Sequence, residues 1–366
     1  MGTVPRTVGT VPVCHLTDQM NPVTARLLNQ QLMAPQFTDP VDVVAHMGAM
    51  QAQEYRLMRW AVAMRTKNPS LEAFRKAYDN GGIIRLHLLR GTWQLIARQD
   101  WPWMTDLCAP KARAVITGWM HANHIDIPTD EQNLIRDILL QTAADKGSVT
   151  EQDFNRALLE RDIAMDKHRL SYHIRFNELA GRLCSGKLAP MKATYRLAPV
   201  CKSPMERDEA LALLTRKYFQ SRCPATFEDY VWWSGLNAAD CRTGIGLIKN
   251  ELHVEKWKGY EFYVHESCRT RGFRKDTNLL IAPYDEYLIG YKSRETVLPT
   301  EYRHKAHNNS GNFYPIIAHD GIICGNWSPF SKNPQFEFFD GNTAYDLSSQ
   351  WERYREATER KAGTLF

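Results

Sequence analysis

The order of the predicted elements is the feature that most constrains the fold of this chain. Within residues 126–202, three amphipathic helical segments precede two short strand-like segments around a turn, LCSGKLAPMKATYRLAP. The order returns within residues 203–270, where three helical segments precede VEKWKGYEFYVHE with its Lys-Gly turn. Three helices followed by a hairpin are the order of a winged-helix unit. The sequence therefore predicts two such units in tandem.

A third copy, with an additional helix, is predicted ahead of these two. Residues 20–125 contain four helical segments and then IIRLHLLRGTWQLIAR, which is predicted to be a hairpin turning at Arg90 and Gly91. The copies share no residue-level period, so topology repeats and sequence does not. Residues 271–345 change to short strand-like runs separated by glycines and Asn-rich turns, which indicates a small β-barrel.

The predicted fold class is therefore mixed α/β (α+β), with three tandem winged-helix units followed by a small C-terminal β-barrel. An amphipathic helix is predicted within residues 346–366, and residues 1–19, with a TVP-type repetition, are predicted to be a disordered tail. A hydrophobic fraction of 43% in 366 residues is enough for a large core. Its expected members include Trp93, Trp232 and Trp233.

Charge and cysteine usage limit the functional classes. The formal net charge of +5 permits nucleic-acid binding without requiring it. Eight scattered cysteines form no CxxC pair, which argues against a zinc ribbon or a redox motif and fits reduced thiols. No apolar run of about 18 residues and no secretory signal pattern is found. We therefore expect a cytoplasmic protein that does not interact with a membrane.

Two glutamines lie in the stretch HMGAMQAQEYRLMRW. Asp39 is a plausible N-cap and Pro40 suits the first turn of the helix before them. On a helix, Gln51 and Gln53 would be separated by about 200° of rotation, so they could converge on one ligand only if the helix ends first. Gly48 is a candidate end. From this stretch alone, two surface glutamines in a turn are the simpler interpretation.

Five blocks carry a family resemblance: AMQAQEYRLMRWAVAMRT, GIIRLHLLRGTWQLIARQDW, YFQSRCPATFEDYVWWSGL, LLIAPYDEYLIGYKSR and GIICGNW. In this order, across roughly residues 21 to 330, they resemble the AlkZ/YcaQ family of interstrand-crosslink repair DNA glycosylases. The resemblance implies tandem winged-helix units and a C-terminal β-barrel that cup duplex DNA. It also places Gln51 and Gln53 on the catalytic Gln-x-Gln or Gln-x-Asp motif of the family. Gln94 departs from the pattern, since the family often has His there.

The chemistry expected of such a site is modest. An N7-alkylated guanine is cationic and leaves readily, so its excision needs no strong acid. Glutamines can position water and stabilise an oxocarbenium-like sugar. We expect Gln53 to position the water and Gln51 to orient the sugar or the water. The polar stretch around Gln53 shows no aromatic cage for an extruded base, which favours bulky N7 adducts and crosslinks as substrates.

Cationic and aromatic residues near these motifs are predicted to contact DNA. They lie after the glutamines, in the first hairpin, on the third helix of the second unit and in SCRTRGFRK. The predicted contacts are Tyr55, Arg56, Arg85, His87, Arg90, Lys167, His168, Arg169, Arg175, Arg271 and Arg274. A half-buried strand histidine and a solvated charged helix face are the structural alternatives for these groups.

Other features indicate no further chemistry. Asp285 and Glu286 are adjacent, so on a strand they would point to opposite faces, and they are expected to hold the barrel together. His121 and His124 lack a third ligand, so no metal and no cofactor are predicted. The expected partner is duplex DNA carrying alkylated guanine, bound by a monomer. A non-catalytic winged-helix DNA-binding protein, such as a transcription regulator, or an inactive family member remains the alternative.

Overall fold

The structure, a computed structural model, describes residues 13–14, 21–199, 205–341 and 345–359. Strand β1 is Val13–Cys14. The first unit then follows with helices α1 Pro22–Asn29, α2 Pro40–Met47, α3 Met58–Ala63 and α4 Leu71–Asp79, and with strands β2 Ala49–Gln51, β3 Ile83–His87 and β4 Trp93–Ala97. The strands form an antiparallel sheet in the order β2-β4-β3.

Local signals in the first unit act as the sequence predicts. The Asp39 side chain accepts a hydrogen bond from the Val41 N–H, and Pro40 occupies the first turn of α2. The helix ends at Met47 because Gly48 takes a φ of 72°, a conformation that costs a residue without a Cβ little. The predicted end of this helix before the two glutamines is therefore confirmed.

Helix α5, Trp101–Ala122, follows the first hairpin and was not predicted from the sequence. Pro110 lies inside it, where a proline usually indicates a break. Tertiary packing stabilises the helix, since Met104, Cys108 and Ile116 are buried against the first hairpin and the third unit.

The second unit has a core of its own. It consists of α6 Thr129–Lys146, β5 Val149–Thr150, α7 Glu151–Leu159, α8 Lys167–Leu179, β6 Leu183–Ser185 and β7 Thr194–Leu197. The sheet order is β5-β7-β6. The cluster that fills the unit includes Ile135, Leu139, Phe154, Leu170 and Leu183.

The third unit repeats this arrangement. It consists of α9 Arg207–Arg222, α10 Phe227–Ser234, α11 Ala238–Leu247, β8 Leu252–Trp257 and β9 Tyr260–His265. Strand β1 completes its sheet by pairing in parallel with β8, with Val13 opposite Val254. Two residues of the predicted tail thus belong to a sheet, and the other residues of 1–19 lie outside the described residues.

The C-terminal part contains β10 Asn278–Ile281, α12 Glu286–Ile289, α13 Arg303–Ala306, β11 Ile316–His319, β12 Ile322–Trp327, β13 Phe336–Phe338 and α14 Ser348–Glu359. The strands form one open antiparallel sheet in the order β10-β11-β12-β13, and among the described residues they close no barrel. The expectation of a strand at Asp285 and Glu286 is wrong, because Asp285 caps α12 and Glu286 begins it.

Two hydrophobic clusters cross the boundaries between these parts. One joins the first unit to the C-terminal sheet and includes Trp60, Tyr287 and Trp327. The other joins the first hairpin and α5 to the third unit. Together they fix the first unit against two other parts of the chain. Within the described residues, no helix has the length and apolarity needed to cross a membrane.

Candidate active site

Gln51 is the last residue of β2, directly opposite Gln94 of β4. It is only 6% exposed, and its Oε1 accepts hydrogen bonds from Gln94 Nε2 at 2.6 Å and from Thr92 Oγ1 at 3.2 Å. Two donors therefore fix the carbonyl end of the amide. Its nitrogen makes no hydrogen bond within the described part of the chain, which leaves that end available to a ligand.

The backbone of Gln51 is held by a carboxylate from the C-terminal part. The Gln51 N–H donates to Glu286 Oε1 at 2.7 Å. The other oxygen of Glu286 accepts from Arg222 Nη2 at 2.7 Å and from Trp233 Nε1 at 3.1 Å. Arg222 also donates to the carbonyl of Ala49 at 2.7 Å. Three distant blocks of the sequence thus converge to position one glutamine, and sequence reasoning missed this role.

The neighbouring carboxylate, Asp285, serves a different partner. Its two oxygens accept from Arg65 at 2.7 and 2.8 Å, and one of them also caps the Tyr287 N–H at 2.9 Å. Both charged side chains are buried. The two adjacent acids are therefore structural and do not form a catalytic pair.

Ala52, between the two glutamines, is clamped on both sides. Its N–H donates to the Trp93 carbonyl at 2.9 Å, and its carbonyl accepts from Arg85 Nε at 3.1 Å and Nη2 at 3.0 Å. The Arg85 guanidinium stacks 3.6 Å from the Trp93 ring and is 3% exposed. Arg85 was predicted to contact DNA, and in this structure its donors are buried against the turn that carries the glutamines.

Gln53 follows the clamp and is exposed. Its side chain makes no hydrogen bond within the described residues. The Tyr55 hydroxyl accepts from the Ala189 N–H of the second unit at 3.1 Å, so it is already engaged. Arg56 lies 3.6 Å from the ring of Phe330, which is 46% exposed. Gln53 thus lies at a surface with an aromatic and a cationic side chain close by.

His87 was predicted to contact DNA, and the structure places it inside the protein. It is 3% exposed, and its Nδ1 lies 2.6 Å from Glu178 Oε2 on α8. Burial raises the pKa of Glu178 to about 8. Burial also lowers the pKa of His87 well below 6.5, and Arg175 and Arg85 lower it further. Burial thus favours the neutral form of both side chains, and the His87 ring faces Glu178 inside the protein.

Arg90 occupies the predicted turn between β3 and β4, with a φ of 57°. It is half-buried, and its guanidinium lies 5.1 Å from the Trp232 ring. Trp233 is buried as expected, whereas Trp232 is 37% exposed and does not belong to the core. An exposed tryptophan beside an arginine is a surface suited to binding a ligand.

The predicted cationic helix is α8. Lys167 and His168 are exposed in its first turn. Arg169 forms a bidentate ion pair with Glu131 of α6, which neutralises much of its charge. Arg175 is half-buried. Only part of the predicted cationic face is therefore free to meet phosphate.

Arg271 and Arg274 are exposed in the segment that leads to the C-terminal sheet. The segment is anchored by Arg269, which donates to the Leu28 carbonyl at 2.8 Å. A fixed segment with two solvent-facing arginines can present both charges to a polyanion.

One group of described residues could present three ligand atoms to a metal ion. Asp276, His319 and Asp320 bring such atoms within 4.8 Å of one another at the edge of the C-terminal sheet. His319 Nδ1 lies 2.9 Å from Asn278 Oδ1, and Asp320 accepts from the Thr277 N–H at 2.9 Å. Neither of these contacts involves the glutamines.

Known proteins resemble this chain in sequence and in fold. A family model described as DNA glycosylase AlkZ-like matches residues 44–359, a range that includes both glutamines. The chain is 26% identical over 333 residues to an interstrand DNA cross-link repair glycosylase of Streptomyces sahachiroi, covering 83% of this chain and 86% of that relative. Its fold is similar to the solved structure of the Streptomyces sahachiroi DNA glycosylase AlkZ, with a TM-score of 0.71, 21% identity, and coverage of 92% of this chain and 96% of that chain.

Proposed function

Because this chain belongs to the AlkZ-like family of DNA glycosylases, we propose that it excises cationic N7-alkylguanine from duplex DNA and unhooks interstrand crosslinks. It acts as a monofunctional enzyme and as a monomer. The observation that carries the proposal is the contrast between the two glutamines. Gln51 is buried and held by Thr92, Gln94 and Glu286, whereas Gln53 is exposed and unpaired two residues later.

The hydrogen bonds that hold Ala52 explain how the exposed Gln53 can act in catalysis. Hydrogen bonds from Arg85 and to Trp93 fix the backbone between the glutamines, so Gln53 projects from a rigid turn. A positioned group is effective in catalysis because its orientation is set before the substrate arrives. The exposed amide oxygen of Gln53 can accept a hydrogen bond from water, and the free nitrogen of Gln51 can donate to the same water or to the sugar.

The reaction needs no stronger group than these amides. Water attacks the anomeric carbon, the bond from this carbon to guanine N9 breaks, and its electron pair neutralises the positive charge at the alkylated base. The proton lost by the attacking water passes to solvent. The buried Glu286 is occupied by Arg222 and Trp233, so it is not available as a base. The preference for a cationic leaving group follows from this weak catalytic set.

Duplex DNA would lie across the three helical units, each of which we propose to be a winged-helix unit, within residues 20–125, 126–202 and 203–270. Each combines helices with a three-stranded sheet that includes an antiparallel hairpin. Exposed or half-buried cations of these units, and of the segment that leads from the third unit to the C-terminal sheet, provide the phosphate contacts. The residues proposed for DNA binding are Tyr55, Arg56, Arg90, Lys167, His168, Arg169, Arg175, Arg271 and Arg274.

The test is excision from a duplex that contains one N7-methylguanine, read as strand scission after hot alkali. We expect wild-type protein to generate an abasic site and Gln53→Ala to reduce the single-turnover rate by about two orders of magnitude, the usual scale for one positioned catalytic group. Duplex affinity should change little. A DNA-binding regulator would leave the strand uncut.

Glu54→Gln is the matched control, since Glu54 is the half-buried carboxylate next to Gln53. Its Oε1 already accepts from the Arg56 N–H at 3.0 Å. If glutamines perform the chemistry, Glu54→Gln should excise at nearly the wild-type rate. A loss as large as that of Gln53→Ala would identify Glu54 as the base and contradict the proposed mechanism.

A further inference from the structure

A cationic cluster surrounds the exposed Trp232 of α10. The Trp232 Nε1 donates to the Ile289 carbonyl at 3.0 Å, which fixes the ring against α12. The guanidinium carbons of Arg90 and Arg294 each lie 5.1 Å from the centre of that ring. Two arginines from separate parts of the chain thus share one aromatic surface.

Neither arginine is neutralised by a carboxylate in the described structure. Arg90 Nε is buried without a hydrogen-bond partner, an expensive state for a charged donor. Arg90 packs so closely on Gly235 that a Cβ there would lie 2.9 Å from its Cγ. Arg294 donates from Nε to the Leu288 carbonyl at 3.3 Å and lies 5.1 Å from the Phe313 ring. Both guanidinium groups are therefore fixed in place with donors still unused.

The cations near Trp232 repel one another. Burial, together with repulsion from the exposed Arg303 and from Arg90, lowers the pKa of Arg294 to about 10. The nearby acids Asp229 and Glu295 act in the opposite direction.

These two acids already have other donors. Asp229 accepts from the Ser293 N–H and hydroxyl at 2.8 Å, from the Thr226 N–H at 2.9 Å, and faces Arg26 at 3.5 Å. Glu295 accepts from the Tyr260 hydroxyl. Within the described residues, Arg90 and Arg294 therefore carry positive charge without an ion-pair partner, although the charge of Glu286 also acts on Arg90.

The cluster adjoins the candidate active site through one turn. Arg90 lies in the same turn as Thr92, whose hydroxyl is 3.2 Å from Gln51 Oε1. A ligand of the cluster would therefore lie beside the turn that holds Gln51.

We propose that Arg90 and Arg294 form a phosphate-binding site at Trp232, and that its ligand is one phosphodiester of the DNA backbone near the lesion. Guanidinium groups suit this ligand because their donors match phosphate oxygens and keep their charge at all physiological pH values. The inference rests on the proposed function for the identity of the polyanion. It names Arg294 as a DNA contact that the sequence did not indicate.

The experiment replaces single phosphates of a lesion-containing duplex by neutral methylphosphonates, one position at a time, and measures the binding of wild-type protein and of Arg294→Gln. We expect one position near the lesion to weaken wild-type binding roughly tenfold, the loss for one charge-assisted hydrogen bond. The methylphosphonate at that position should not weaken the binding of Arg294→Gln any further, because the effects of removing two groups that contact each other do not add. Its salt slope should fall by about 0.9.

Arg294→Lys keeps the charge and should retain most of the coupling, which controls for misfolding of the glutamine variant. Lys67→Gln removes one exposed charge outside the cluster and should leave the methylphosphonate profile unchanged. Additive losses at every position would overturn the proposal. A different contrary result would be that inorganic phosphate competes with DNA more strongly than chloride does at the same ionic strength while Arg294→Gln shows non-additive loss at no methylphosphonate position. That result would overturn the assignment of the ligand to the DNA backbone. Because binding is measured separately, failed excision with intact coupling would contradict the proposed function alone.

Discussion

Replacing Glu286 by Gln tests whether a buried ion pair positions the candidate catalytic residue. Glu286 is 2% exposed and Arg222 is fully buried, and the carboxylate accepts from Gln51, Arg222 and Trp233. A glutamine has the same shape, but it has one oxygen where the native residue has two. Whichever way the new amide turns, its NH₂ faces a donor, either the Gln51 N–H or the Arg222 guanidinium.

The magnitude follows from the groups left without partners. Removing one member of a buried ion pair costs about 3–5 kcal/mol, because the remaining charge stays buried. Arg222 keeps its hydrogen bonds to the carbonyls of Met47 and Ala49, which places the expected loss near the lower end, about 3 kcal/mol. That loss is a large part of the roughly 5–15 kcal/mol of a typical domain. If the amide turns its NH₂ toward Gln51, the β2 backbone must also move.

Urea unfolding of wild-type protein and of Glu286→Gln gives the change in the free energy of unfolding. Single-turnover excision at a temperature at which both are folded gives the catalytic effect, which we expect to exceed tenfold. Glu352→Gln, at an exposed position of α14, should change stability by less than about 0.5 kcal/mol. A Glu286→Gln protein as stable as the wild type would refute the argument for a buried ion pair. A destabilised variant with normal excision would refute the positioning of Gln51.

Two further predictions concern charge. Between about pH 6.5 and 8, folded Glu178 holds a proton that the unfolded chain has lost, so stability should fall as pH rises, by about 2 kcal/mol at about 1.4 kcal/mol per pH unit. Just below pH 6.5 the slope should flatten, because His87 of the unfolded chain then binds a proton that His87 of the folded chain does not bind. Thermal unfolding of Glu178→Gln should no longer show the fall in stability above pH 6.5, and persistence of that fall would assign it to another group. Replacing Arg271 and Arg274 together by Ala should lower the log-log salt slope of duplex binding by up to about two. An unchanged slope would place the DNA surface elsewhere.

Local signals in the sequence determined the elements that carry the glutamines. The Asp39 cap, Pro40 and Gly48 define both ends of α2, so the chain is extended when it reaches Gln51. The turn of the first hairpin also lies where it was predicted. These features depend on interactions between residues a few positions apart, which a sequence displays directly. The family assignment from five ordered blocks is confirmed by the family model.

Local sequence signals did not determine which charged side chains are buried. Arg85 and His87 lie on a strand whose pattern permits either an exposed or a covered face, and packing against the second unit covers both. The barrel predicted for the C-terminal part is an open sheet in the described residues, because strand number and spacing in a sequence do not specify closure. Helix α5 contains a proline that tertiary contacts tolerate.

The support of the site is the part that only the tertiary structure decided. Gln51 and Glu286 are 235 positions apart, and Arg222 and Glu286 are 64 apart. In the sequence, none of these residues taken alone indicates a role in the site. They act together because burial removes water from the Glu286 carboxylate, and a desolvated charge must find all of its hydrogen-bond partners within the protein. Through its family resemblance the sequence predicted that Gln51 and Gln53 carry the motif, whereas the fold determined that Gln51 is held by hydrogen bonds and that Gln53 is exposed.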